Sequence, residues 1–126
     1  MSKKYAVCGI LPIIGDFFLS VSRKDDPNKI GFIGGKIDEN EEPEQALLRE
    51  VLEETGLHVT VEPFDPFVAE DGEYIVYCYM IQLDDKAHEQ IAEEETGVIR
   101  IASRLQLIKS SPYADYNERA FEWFGV

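Results

Sequence analysis

Gly34-Gly35-Lys36-Ile37-Asp38-Glu39-Asn40-Glu41-Glu42-Pro43-Glu44-Gln45-Ala46-Leu47-Leu48-Arg49-Glu50-Val51-Leu52-Glu53-Glu54-Thr55-Gly56-Leu57 reads as a glycine loop feeding a short helix that carries a cluster of acids. Pro43 suits the first helical position, where a missing N–H costs nothing, and Glu42 and Glu44 put negative charge near the positive end of the helix dipole. Gly56 supplies a left-handed stop. At about 100° per residue, Glu50, Glu53 and Glu54 fall within an arc of roughly 100°, with Arg49 at its edge and only Ala46 between the acids. Leu47, Leu48, Val51 and Leu52 fill the opposite arc and are expected to face a core. Ala46 is expected to leave room for a ligand to approach.

The acidic face is unfavourable on its own. Glu50 and Glu54 are an i,i+4 like-charge pair and Glu53 is i+3 from Glu50, at about 0.2–0.5 kcal/mol per pair in an isolated helix. Arg49 alone cannot neutralise three carboxylates. A hard divalent cation can, and Mg²⁺ is typically held by a few carboxylates together with substrate phosphates. A merely solvated helix face is the alternative reading of the same residues. The adjoining glycine loop, aimed at the same end, favours the metal.

Gly35, five residues, Glu41, seven residues, then Arg49-Glu50-Val51-Leu52-Glu53-Glu54-Thr55-Gly56-Leu57 resembles the complete signature of the Nudix hydrolases. Gly34-Gly35-Lys36-Ile37 and Pro43-Glu44-Gln45-Ala46 resemble the MutT-like branch. The resemblance implies an α/β fold, an α/β/α sandwich with a mixed β-sheet, over a single domain spanning residues 1–126. It also implies metal ligation by Glu50, Glu53 and Glu54 with the Gly34 carbonyl, and a general base at Glu50 oriented by Arg49. Glu53 shares the catalytic role, and Glu41 supports the site from the loop. Arg23 and Lys36 resemble phosphate-contacting positions. Glu95, ahead of a strand at 98–102, resembles a further acid brought to the metal, with Glu93 and Glu94 as competitors. Asn117 resembles a residue that reads a purine edge, although a helix N-cap would look identical. Tyr74 resembles a tyrosine of dinucleoside polyphosphate hydrolases, where plain packing is the alternative. Two positions depart from the family pattern: Ile33 replaces a common proline, and Asn40 a common glycine. Asn tolerates positive φ, so that turn is expected to survive.

The implied activity is Mg²⁺-dependent cleavage of a phosphoanhydride in a nucleoside diphosphate linked to X, with Mn²⁺ as a substitute metal. The leading substrate is a purine nucleoside triphosphate, oxidised or not, cut to monophosphate and pyrophosphate. A dinucleoside polyphosphate or nucleotide-sugar hydrolase is the alternative, as is a non-catalytic nucleotide-binding module. The partner is therefore a small-molecule nucleotide.

The rest of the chain is consistent with one domain able to bury a single substantial core in its 126 residues. A net charge of −13, from 25 acids and 12 bases, argues against tight binding to duplex nucleic acid. It does not exclude a nucleotide, because a bound cation inverts the local field. No apolar run approaches the ~18–20 residues that span a bilayer, so no membrane partner is expected. Met1-Ser2-Lys3-Lys4 leads straight into strand-like sequence with no cleavage site, and Cys8 and Cys78 read as buried thiols, so a cytoplasmic location is expected. Monomer and homodimer are both open. Strands are expected at Tyr5–Ile14, Phe17–Val21, Ile30–Ile33, His58–Val61, Tyr74–Leu83 and 98–102, with a turn at Ala69–Glu73. Asp84 to Thr96 is expected to be mostly loop. Ser103 is expected to cap a short helix, and a closing helix to run from Asp115 or Tyr116 through Trp123.

Overall fold

The computed structural model describes residues 4–22, 25–26, 28–83 and 99–126. Seven strands form one mixed sheet: β1 (Lys4–Ile14), β2 (Phe17–Ser22), β3 (Ile30–Lys36), β4 (Val59–Val61), β5 (Phe67–Asp71), β6 (Tyr74–Leu83) and β7 (Ile99–Ser103). Among the described residues, helices α1 (Pro43–Thr55), α2 (Arg104–Ile108) and α3 (Ala114–Phe124) join them. The sheet order is β4-β6-β1-β3-β2-β7, with β5 also pairing β6. β1 runs parallel to β6, and every other pairing is antiparallel.

β1 is long enough to serve two neighbourhoods. Ala6–Gly9 pair with β3, whereas Leu11–Ile14 turn back on β2 through an irregularity between Pro12 and Ile14. Alternation along the strands then splits the apolar residues between two cores, one on each face. On one face α1 contributes Ala46, Leu47 and Val51 to a cluster with Val7, Leu11, Leu19, Ile33 and Ile81. On the other, α2 and α3 contribute Leu107, Tyr116, Ala120 and Phe121 against Ile10, Phe18, Phe32 and Cys78. The result is the expected α/β/α sandwich. Both thiols are free and buried, Cys8 opposite Cys78 across the parallel pair. No helix among the described residues is long and apolar enough to cross a membrane.

Several expectations need correction. Ala69–Glu73 is not simply a turn: Phe67–Asp71 is a strand, paired antiparallel with β6, and the reversal is confined to Gly72 and Glu73. Pro66 precedes this strand, where its missing N–H removes no ladder bond. The buried arc of α1 is also rotated. Leu48 and Leu52 remain 40% and 44% exposed, while Ala46 is fully buried in the core rather than left open for a ligand. Its small side chain suits close approach of the helix to the sheet. α3 begins at Ala114, one residue before the earlier expected start. Ser103 does cap α2, accepting from Gln106 N at 3.1 Å.

Candidate active site

The glycine pair at the end of β3 allows two close approaches. A side chain at Gly34 would run into the backbone of Val7 and Cys8, the neighbouring strand. A side chain at Gly35 would occupy the space held by the Glu50 carboxylate. Absence of a Cβ therefore lets an acid from α1 lie directly against the strand.

Arg49 organises the remaining acids. Its Nε and Nη2 donate to the two oxygens of Glu41 at 2.8 and 3.0 Å, a bidentate fork. Nη1 donates to Glu50 Oε1 at 2.9 Å and to Glu53 Oε1 at 3.0 Å. Nη2 also donates to the Lys36 carbonyl at 3.1 Å, tying the helix to the strand end. Glu41 is held from behind as well, because its Oε1 accepts Asp38 N at 2.9 Å. Asn40 adopts φ 68 in this loop, so the turn survives without glycine. The Arg49 guanidinium and the Asp38 amide hold the Glu41 carboxyl below the usual carboxylate range. Glu41 in turn raises Arg49 further above its already high value.

Glu54 stands differently. Burial, and then the neighbouring Glu50 carboxylate, push its pKa up to about 8. Angular position explains this. With α1 seated on Ala46, Leu47, Val51 and Thr55, the positions of Glu50 and Glu54 lie inside the buried arc, and Glu53 lies outside it. Among the described residues no three acids, histidines or cysteines close into a metal cluster. The donor set nevertheless fits a hard divalent cation in its chemistry: carboxylate oxygens of Glu50, Glu53 and Glu54, of which Glu54 is kept protonated by burial and then by Glu50. A cation would replace that proton by neutralising the buried carboxylate and its neighbour Glu50.

A cleft of about 540 Å³ opens beside Gly34, Gly35 and Lys36 on the α3 face of the sheet. Its walls include Ser22, Gly31, Asp71 and Tyr74, with Tyr113, Tyr116 and Asn117 from the start of α3 and the residue before it. Asp71 is held above the usual carboxylate range by burial and by Asp115. Lys36 and Tyr74 thus both line the cleft. Asn117 lines it too, but not as an N-cap. It is the fourth residue of α3, buried, with Nδ2 donating to Leu107 O at 2.8 Å. Arg23, Glu93, Glu94 and Glu95 lie outside the described residues.

Reading the sequence alone misses Ser22, Tyr113 and Tyr116. Period-two alternation could have found Ser22, since it continues the Phe18, Ser20 face of β2 by one more step. No comparable signal marks the two tyrosines.

A family model described as the NUDIX domain matches residues 4–124. The chain belongs to the NUDIX domain family, the hydrolase family that its signature resembles. A segment of 29 residues is 66% identical to an 8-oxo-dGTP diphosphatase of Proteus vulgaris, in keeping with the MutT-like resemblance. That match spans 23% of this chain and only 26% of the relative. Among solved structures, a NUDIX-family hydrolase from Clostridium perfringens is similar with TM-score 0.67 at 19% identity, covering 98% of this chain and 99% of that one. A C. elegans Ap4A hydrolase is similar with TM-score 0.69 at 18% identity, covering 98% and 96%. At these identities the likeness concerns the fold.

Proposed function

We propose that residues 1–126 form one cytoplasmic Nudix domain that hydrolyses a purine nucleoside triphosphate, oxidised or not, to monophosphate and pyrophosphate with Mg²⁺. The observation that carries this reading is the Arg49 fork, which holds Glu41, Glu50 and Glu53 together beside a glycine pair at one end of a nucleotide-sized cleft.

Glu50, Glu53, Glu54 and the Gly34 carbonyl would hold the metal, with Glu95 as a further carboxylate. Mg²⁺, or Mn²⁺ in its place, supplies neutralisation of the phosphate charge that otherwise repels a nucleophile. Arg49 is a positioning residue. By holding one oxygen of Glu50 at 2.9 Å it orients the carboxylate that would accept the proton of an attacking water. Lys36 and Arg23 stand for phosphate contacts, and Asn117 contributes to the nucleoside end through a side chain already fixed on Leu107 O.

A dinucleoside polyphosphate is the second reading, favoured by Tyr74 in the wall of the cleft. A binding-only module is disfavoured, since every box carboxylate is present. Incubating the purified protein with Mg²⁺ and a panel of triphosphates, dinucleoside polyphosphates and nucleotide sugars tests the proposal. Monophosphate and pyrophosphate from a purine triphosphate are expected. Absence of turnover across the panel would refute the enzymatic reading.

A further inference from the structure

Ser22 ends β2 with its side chain buried, only 5% exposed, in the wall of the cleft. Among the described residues its Oγ is the one buried side-chain polar atom without a hydrogen-bond partner. Leaving a desolvated hydroxyl unpaired is unfavourable, and such groups in folded proteins call for an explanation.

Other buried polar side chains on this face of the sheet have partners. Ser20, on the same strand face, donates to Phe18 O at 3.1 Å. Ser110 accepts Ile30 N at 2.6 Å and donates to Asn28 O at 3.0 Å. The Tyr116 hydroxyl donates to Val76 O at 2.9 Å, and Asn117 Nδ2 to Leu107 O at 2.8 Å.

Its position suits a nucleotide seated by its phosphates at the glycine pair. Ser22 is opposite Ile30, and Ile30 is four residues before Gly34 on β3, about 13 Å of extended strand. Between these points the floor is Gly31 and Phe32, and Tyr113 packs over Gly31. This end of the cleft is aromatic, with Phe32 and Tyr113 in its lining, as a flat heterocycle requires.

We propose that Ser22 is a specificity-determining residue whose hydroxyl hydrogen-bonds the edge of the substrate's nucleobase. The inference rests on the reading of the cleft as the seat of a nucleotide. A bound base completes the hydrogen bonding that the unliganded fold leaves open, and a base with no matching group at that edge leaves Ser22 unsatisfied.

Binding of the common nucleoside 5′-monophosphates, measured by calorimetry with EDTA present, tests this without turnover. Wild type should rank the bases, and Ser22→Ala should weaken the preferred one about three- to tenfold while leaving the disfavoured ones unchanged. Ser22→Ala should also melt at a higher temperature than wild type when unliganded, since it removes the unpaired hydroxyl. Ser20→Ala, which loses a made hydrogen bond, should melt lower and keep the wild-type ranking. If Ser22→Ala keeps the wild-type ranking and affinities, or wild type binds no monophosphate, the inference is overturned. A wild type that ranks monophosphates but hydrolyses no nucleotide would refute the hydrolase reading and leave this subsite standing.

Discussion

Glu50 and Glu54 stand one helical turn apart on the side of α1 that meets the sheet, and that placement sets the electrostatics of the metal-free site. Glu54 titrates near 8 instead of its ordinary 4.5, because burial and Glu50 both disfavour its charged form. The sign of the stability effect follows. The folded protein keeps a proton that the unfolded chain releases, so the contribution is fully present below about 4.5 and is lost as pH rises through about 8. Thermal melts in EDTA should therefore show the wild-type midpoint falling from pH 5 to pH 9. Glu54→Gln, which cannot ionise, should flatten that fall. Saturating Mg²⁺ should also reduce it, since the cation favours the ionised carboxylates. A wild-type midpoint that tracks Glu54→Gln across the whole range would contradict the placement.

At the scale of elements, the junction between β3 and α1 separates structural from chemical demands on adjacent glycines. Gly34 faces neighbouring backbone, which cannot yield, so Gly34→Ala should disrupt the β1–β3 pairing and cost about 1–3 kcal/mol. At Gly35 the three nearest atoms to an added Cβ all belong to the Glu50 carboxylate, a side-chain end that can swing aside. Gly35→Ala should thus retain most of its stability yet lose at least about tenfold in turnover as Glu50 leaves the Arg49 fork. Melting curves and rates for the two variants check the contrast. The helix itself was legible in advance because proline start, glycine stop and fixed acid spacing are local signals. Which arc faces the sheet was not. Periodicity gives relative angles around a helix, and only packing reveals that Ala46 seats α1 while Leu48 and Leu52 stay half-exposed. β5 was hidden similarly, because a five-residue strand just after Pro66 gains its identity from pairing with β6.

Across the whole molecule, two cores on opposite faces of one sheet hold the acidic helix on one side and the Tyr113–Asn117 turn of α3 on the other. The cleft opens on the α3 face and reaches the glycine pair, so a nucleotide there meets the acids only through the end of β3. Sandwich architecture and the box residues could be read from sequence because both rest on short-range pattern. Lys36, Tyr74 and Asn117 were named by resemblance, but the rest of the cleft was not, since Ser22, Asp71 and Tyr113 come from distant segments and meet only through topology. Asn117 shows the same limit: its partner, Leu107 O, belongs to another helix. The proposed function requires that the carboxylates of α1 serve one catalytic metal site. Its most direct test is turnover at saturating Mg²⁺ for Glu50→Gln, Glu53→Gln and Glu54→Gln, each with its metal-free thermal midpoint. A loss of at least about 10²-fold in rate is expected for each, with midpoints near or above wild type. If Glu53→Gln and Glu54→Gln both keep more than about a tenth of the wild-type rate, far short of that loss, the claim is contradicted.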